Sequence, residues 1–213
     1  MVITKTCTEP KICKREILRY AGCTIKEGQD SEQLETLLNE CLEEALPKLR
    51  YQVCCIKLPL DIREDICDFG CLVLKSKDLA KNLAGCQEVL LFGATIGIEI
   101  DRLIMKYGRT SPTKALLMQA IGAERIEALC DVFCEGLRPR FSPGYGDLSL
   151  ETQKEIFQVL NCNKYVGITL NESYLMSPSK SVTAIVGLGK WDSKTGKNKC
   201  ALCDKRDCAY RGV

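Results

Sequence analysis

The chain has 213 residues, with 30 Lys and Arg against 28 Asp and Glu; at a net charge of +2, no global field draws it to nucleic acid or to a membrane surface. Its 15 cysteines are accompanied by no histidine, which excludes a His-based triad, a Cys/His zinc site and a histidine cobalt ligand from this chain. The length suits one domain, or one domain with a small appendage.

Met1 to Thr8 shows no apolar core and no cleavage pattern, so no signal peptide is expected. The longest apolar stretch, Val89 to Ile98, falls well short of the ~20 residues of a spanning helix. Most cysteines sit singly within apolar patterns, unlike a small disulfide scaffold. A cytoplasmic protein with mostly reduced thiols is the expectation.

Lys11 to Tyr20 reads as a short helix. Asp30 and Gln33 have capping-box spacing before a second, in which Leu34, Leu37, Leu38, Cys41, Leu42 and Ala45 form one apolar stripe that Pro47 stops. Tyr51 to Leu58 and Cys71 to Leu74 read as strands, and Ser76 to Leu83 as a helix. Glu88 to Phe92 reads as a buried strand running through Gly93-Ala94-Thr95-Ile96-Gly97 into a helix from about Ile98 to Tyr107. Ser111 caps a long helix with Pro112 at its first position, where a missing N–H costs nothing, and Gly136 is its stop. Leu137 to Leu148 is a loop rich in Pro and Gly, Leu150 to Leu160 an amphipathic helix, and Val182 to Val186 a β-branched strand. Helices and strands interleave without steady βαβ alternation, which favours an α+β fold.

Two segments carry chemistry. The first is the loop sequence Arg140-Phe141-Ser142-Pro143-Gly144-Tyr145. Taken alone, it fits a surface turn with a solvated Arg140 and Tyr145 packed as a lid. The second is Cys200-x2-Cys203-x4-Cys208, on a segment from Gly189 to Val213 where basic residues outnumber acidic ones seven to three. Close thiolates among lysines suit zinc or an iron–sulfur cluster, but three ligands are one short of the usual four; Cys162 or another distant Cys would complete the set, or one position stays open. A reduced tail without metal is nearly as good a reading. Cys54-Cys55, Cys67-x3-Cys71 and Cys130-x3-Cys134 read as packing or strand-edge thiols. Gly187-Leu188-Gly189 lacks the third glycine and the following helix of a dinucleotide fingerprint.

With the downstream runs Gly167-Ile168-Thr169-Leu170-Asn171-Glu172-Ser173-Tyr174-Leu175-Met176 and Pro178-Ser179-Lys180-Ser181-Val182, the stretch from Arg140 to Leu188 resembles the S-adenosylmethionine-binding signature of the activation domain of cobalamin-dependent methionine synthase. Glu16-Ile17-Leu18-Arg19-Tyr20 and the stretch from Ala94 to the helix around Glu127 agree more loosely. The resemblance implies an α+β fold with a mixed or antiparallel twisted sheet and flanking helices over residues 1–188, followed by the basic Cys-rich tail of residues 189–213.

It also implies roles. Arg140 suits the carboxylate of S-adenosylmethionine, since its planar fork makes two parallel charge-assisted bonds. Tyr145 offers a π face to the sulfonium or adenine. Pro143-Gly144 brings backbone close to the ligand, and backbone groups of Phe141 to Tyr145 would read the adenine edge. Glu127 would pair with the ammonium, with Glu124 as a competing alignment. Pro178-Ser179-Lys180-Ser181 fits a plain hairpin turn better than a ligand contact. The family's further cofactor-contacting Tyr has no aligned counterpart here, where Trp191 stands nearby.

The function so implied is support of the reductive methylation of cob(II)alamin on a separate corrinoid-binding methionine synthase or methyltransferase, with S-adenosylmethionine as methyl donor and a reductant protein as a further candidate partner. Neither nucleic acid nor membrane is expected. The alternatives are an electron-transfer protein of corrinoid metabolism, with a metal or iron–sulfur cluster in the tail, and a non-catalytic module that docks its basic tail on an acidic partner.

Overall fold

A computed structural model describes residues 1–23 and 29–189. The elements in chain order are β1 (Ile3–Thr6), α1 (Lys14–Tyr20), α2 (Gln29–Ala45), β2 (Gln52–Pro59), β3 (Asp61–Arg63), β4 (Ile66–Asp68), β5 (Val73–Lys75), α3 (Lys77–Leu83), β6 (Glu88–Thr95), α4 (Glu99–Thr110), α5 (Pro112–Phe133), α6 (Gln153–Leu160), α7 (Cys162–Val166), β7 (Thr169–Leu170), β8 (Met176–Ser177) and β9 (Ser181–Leu188). Four of these strands form one antiparallel sheet in the order β1-β2-β6-β9. The smaller sheets are β3-β4-β5 and the β7-β8 pair. The α+β class expected from the sequence is the class observed.

Strand alternation gives each long strand two apolar faces, and both are covered. Val53, Cys55, Phe92, Ala94, Ala184 and Val186 face a core shared with α1, α2, α4 and α5. Cys54, Val89, Leu91 and Ile185 face a second core built with α3, α6, α7 and the β3-β4-β5 sheet. Two covered faces explain why β6 reads as a nearly unbroken apolar run. They also require small residues where layers approach. A Cβ on Gly93 would sit 2.9 Å from Cys162 Sγ, and one on Gly187 2.5 Å from Cys86 Sγ. Gly187 is thus a packing glycine within a strand, in keeping with rejection of the dinucleotide fingerprint.

The apolar stripe of α2 faces the first core, with Leu38, Cys41, Leu42 and Ala45 buried. The helix already includes Gln29, so Asp30 lies inside it rather than at its cap. Ser76, read from the sequence as the first residue of a helix, is the cap of α3, its hydroxyl accepting from Leu79 N–H at 2.9 Å. Three differences from the sequence reading have local causes. The strand β6 runs on to Thr95, because Gly93 and Ala94 pair with Cys54 and Val53 on one side and Thr183 and Val182 on the other. The strand β1 is exposed at all four positions and so lacks an apolar signal. The helix α7 is five residues long and bounded by Asn161 and Gly167 in the left-handed region, too short to show a period.

The longest helix, α5, is locked by a buried ion pair. Arg125 is fully buried and bonds Glu124 through Nε at 2.5 Å and Nη2 at 2.6 Å. Its terminal nitrogens also donate to Pro10 O at 2.6 Å and Lys11 O at 2.8 Å, while Glu124 Oε1 accepts from Cys13 N–H at 3.0 Å. Desolvation would disfavour the guanidinium cation, but Glu124 outweighs it and the Arg125 pKa is raised.

Two stability predictions arise from this packing. Arg125→Met leaves Glu124 as an uncompensated buried charge and frees two carbonyls, so denaturant unfolding is expected to show a loss of about 3–5 kcal/mol. Gly93→Ala overpacks the second core and is expected to cost about 1–3 kcal/mol in the same measurement. Adding Cys162→Ala, which vacates the space, is expected to recover part of that loss.

Candidate functional site

The chain leaves α5 through Cys134, turns at Gly136 with φ +74°, and returns beside β9. There Phe141 and Ile185 exchange both backbone hydrogen bonds at 2.9 Å, an isolated antiparallel bridge on the outer edge of the sheet. Arg140, one residue before the bridge, reaches back to α5. Its Nη2 donates to Glu127 Oε2 and to Asp131 Oδ1, both at 2.8 Å. Glu127 and Asp131 are four apart and share a helix face.

The guanidinium is only 12 % exposed. Burial acts against its charge; Cys130, Glu127 and Asp131 act the other way, and the Arg140 pKa is raised. The Cys130 thiol is itself pushed up to about 12 by burial and is neutral at pH 7, so the carboxylates are what hold the cation there. The other terminal nitrogen, Nη1, is buried with no hydrogen-bond partner. A buried donor without an acceptor is costly, and a carboxylate oxygen would satisfy it.

After Phe141 the chain forms a closed turn. Tyr145 N–H donates to Ser142 O at 3.1 Å, Gly144 N–H to Leu148 O at 2.9 Å and Leu148 N–H to Tyr145 O at 3.0 Å. Gly144 has φ +86°, a conformation that suits glycine. The Tyr145 ring stands edge-on to Phe141 at 6.4 Å and is 57 % exposed.

Asp147 anchors the turn to the start of α3. Its carboxylate accepts from the Ser76 hydroxyl, from Lys77 N–H at 2.8 Å and from Asp78 N–H at 3.2 Å. Asp78 Oδ2 accepts in return from Asp147 N–H at 3.2 Å. Gly146, at φ +52°, lies where a Cβ would come within 2.3 Å of Asp78 Oδ2, so the anchor also needs a glycine.

These pieces enclose a cleft of about 170 Å³ between α5, the turn, α6 and β9. Arg140, Ser142, Pro143, Tyr145 and Glu127 line it. Phe141 and Gly144 are among the expected site residues that do not line it; they hold the turn in place. Glu124, the competing acid, is spent on Arg125 and Cys13 in the core, so Glu127 is the acid at the cleft. Asp131, Gln153, Thr183 and Asp147 were not singled out in the sequence, because each enters through tertiary contact; Met176 was named there only as part of the family-like run. Of the Pro178-to-Ser181 turn, Ser179 N–H donates to Asp101 at 2.8 Å, Lys180 packs over Gly122, and Ser181 borders the cleft. A second groove, on the α1 side of α5, shares Glu127 and is bordered by Asp131, Glu16 and Tyr20.

Among the described residues no cluster of His, Cys, Asp or Glu is arranged to hold a metal ion, and no helix is long and apolar enough to cross a membrane. Cys200, Cys203, Cys208 and Trp191 lie outside the described residues. Cys162, considered as a distant fourth ligand, is fully buried against Cys54, with 3.8 Å between the sulfurs, and is committed to the second core.

Residues 124–194 match the family model described as the vitamin B12 dependent methionine synthase, activation domain. The fold is similar to that of a solved structure, "Crystal Structure of the MetH Reactivation Domain bound to AdoHcy", with a TM-score of 0.67 over 90% of this chain and 80% of that one, at 14% identity. No curated protein matches the chain in sequence. The resemblance read from Arg140 onward is thus borne out, both in the matched segment and in the fold.

The loop anchor has a pH dependence. Hydrogen bonds from the Ser76 hydroxyl and then Lys77 N–H hold the Asp147 carboxyl below its usual value. A depressed value means the anchor is intact above the ordinary carboxylate pKa of about 3.9 and is lost as pH falls through the lowered one. The amide NMR resonances of Gly144 and Gly146 are expected to shift on acidification before those of β9. In Asp147→Ala they are expected to be displaced already at pH 7, with no acid step.

Proposed function

We propose that the cleft binds S-adenosylmethionine and presents its methyl group to a corrinoid carried by a separate protein, supporting reductive reactivation of a methionine synthase or related methyltransferase. The observation that carries this reading is the convergence of Arg140, Glu127, Pro143 and Tyr145 on one cleft within the segment that matches the activation-domain family, with Asp131 pairing Arg140 from the helix behind it.

The residues fit the ligand group by group. Arg140 lines the cleft, and its Nη1, buried without a hydrogen-bond partner, would donate to the α-carboxylate after a small shift of the side chain. Glu127 and Asp131 offer carboxylates to the α-ammonium, so a zwitterion can enter the Arg140 ion-pair cluster without leaving any of its charges uncompensated. The exposed Tyr145 ring supplies a π face to the sulfonium at the lip.

The cleft is smaller than the roughly 300–1,000 Å³ of a pocket that engulfs its ligand. Part of the bound molecule must therefore stay at the surface. That arrangement suits a methyl donor whose acceptor arrives on another protein. In this chemistry a separate reductant protein would give the partner's corrinoid one electron, the corrinoid would then accept the methyl group from sulfur, and S-adenosylhomocysteine would leave. The contribution of this chain is orientation: it fixes both ends of the amino-acid moiety so that the S–CH3 bond points outward. No protein nucleophile and no histidine are required.

Titration calorimetry of S-adenosylmethionine into the full chain is expected to show one site per chain. Arg140→Ala is expected to weaken it about 10–100-fold, the range for hydrogen bonds to a charged group at roughly 1.5–3 kcal/mol. An unchanged affinity in that variant would move the ligand out of this cleft.

A further inference from the structure

Among the described residues every cysteine is a free thiol, and several simply fill an apolar core. Cys54 and Cys162 differ. They lie 108 positions apart in the chain, yet their sulfurs share a hydrogen bond at 3.8 Å, and both residues are fully buried. Neither lines the cleft. The room they occupy is left by Gly93: a Cβ there would lie 2.9 Å from Cys162 Sγ and 3.4 Å from Cys54 Sγ. A glycine inside a strand weakens it, and what this one admits is two sulfurs in contact.

The two thiols are not equivalent. Burial pushes the thiols of Cys55, Cys67 and Cys86 up, which keeps them protonated. Cys54 moves the other way, because its hydrogen bond to Cys162 lowers its pKa against the effect of burial. The same hydrogen bond, together with burial, raises that of Cys162. One thiol that ionises more readily thus stands beside one that keeps its proton. A thiolate is the nucleophile in sulfur oxidation, and a second sulfur within reach resolves the product.

The two sulfurs are also mounted differently. Cys54 lies on β2, which pairs with β1 on one side and β6 on the other. Cys162 opens α7, a five-residue helix flanked by Asn161 at φ +49° and Gly167 at φ +68°. A disulfide brings its sulfurs to about 2.05 Å, so one mount has to move. A short helix between two sharp joints yields before the middle of a sheet. The segments that hang on α7 border the cleft. Asn161 joins it to α6, whose first residue, Gln153, accepts from the Thr183 hydroxyl at 2.8 Å and lines the cleft. Beyond Gly167 the chain enters β7, whose partner β8 brings Met176 to the same cleft.

We propose that Cys54 and Cys162 form a redox-sensitive dithiol, whose oxidation by a peroxide draws α7 onto β2 and displaces the α6 and β8 borders of the cleft. The Cys54 thiolate attacks one oxygen of hydrogen peroxide. An S–O bond forms, the O–O bond breaks, and the departing hydroxide takes up the Cys54 proton to leave as water. The Cys162 sulfur then attacks the Cys54 sulfur. The S–S bond forms, the S–O bond breaks, and the hydroxyl leaves with the Cys162 proton as a second water. Two thiols and one peroxide become one disulfide and two waters, with two electrons passing from sulfur to peroxide. A dithiol reductant reverses the step by exchange and is itself left as a disulfide. With both sulfurs shielded, the rate follows local opening of α7. The dithiol stands on its own geometry; its effect on ligand affinity rests on the proposed function.

The experiment treats the full chain with hydrogen peroxide and maps it by mass spectrometry without reduction. A peptide cross-linked through Cys54 and Cys162 is expected, and dithiothreitol is expected to remove it. In the same samples, without ligand, the amide NMR resonances of Gln153 and Met176 are expected to shift on oxidation. Those of α4, packed on the other core, are expected to stay in place. Calorimetry with S-adenosylhomocysteine is expected to show an affinity about tenfold weaker in the oxidised chain, recovered on reduction. Cys54→Ser and Cys162→Ala are each expected to give no cross-link and an affinity that peroxide does not change. Peroxide-treated wild type without this cross-link overturns the proposal. So does a cross-link that leaves the Gln153 and Met176 resonances, or the affinity, unchanged. Reduced wild type that binds no S-adenosylhomocysteine counts against the S-adenosyl reading alone, because the cross-link and the resonances are read without ligand.

Discussion

The ion pair of Arg125 and Glu124 sets the geometry on which the site depends. A fully buried guanidinium is tolerated only when its donors are met, and here they are met by Glu124 and by the carbonyls of Pro10 and Lys11. The N-terminal segment is thereby bound to α5, and the rotation of α5 about its axis is fixed. With Glu124 turned into the core, Glu127 and Asp131 come out on the flank that faces the returning chain. Arg140 then has two carboxylates within 2.8 Å. One buried charge pair holds the helix so that a second, half-exposed cluster can meet a ligand.

The opposite wall comes from how the sheet ends. Among the described residues, β9 has a neighbouring strand on one side only, and the returning chain pairs with it at a single residue before turning away. A free sheet edge is ordinarily a liability for pairing with other chains. Here the turn, α6 and α5 surround it, so its polar groups open into a cleft rather than onto a flat surface. The turn is held at both ends, by the Phe141–Ile185 bridge and by Asp147 on α3. Between these anchors, Tyr145 stays exposed at the lip. A site with one charged end, one neutral end and an open mouth suits a ligand that must be gripped firmly yet reached from outside.

The sequence carried much of this where the signal is local. The stripe of α2, the Pro112 start of α5 and the apolar runs of β2, β6 and β9 follow from period and helix-start chemistry, and all are found. The Pro143-Gly144 turn was legible because Gly144 needs a positive φ. The short elements were not. The exposed β1, the brief α7 and the β7-β8 pair have too few residues for a period to emerge. They exist because longer neighbours offer them edges and faces.

Within the site the same division holds. Composition and pattern alone established a chain without histidine and an α+β fold; the Arg-to-Tyr hexapeptide by itself fits a surface turn, and only its resemblance to a known family implied a zwitterionic sulfonium ligand. Only the tertiary structure decided between Glu124 and Glu127, since both lie on one helix and what separates them is whether Arg125 or Arg140 stands opposite. Only it placed Gln153, Thr183 and Asp147, which lie far apart in the chain and act through contacts that no spacing rule encodes. Residue type and period are properties of a short segment, whereas a cleft is made by which segments the core forces together.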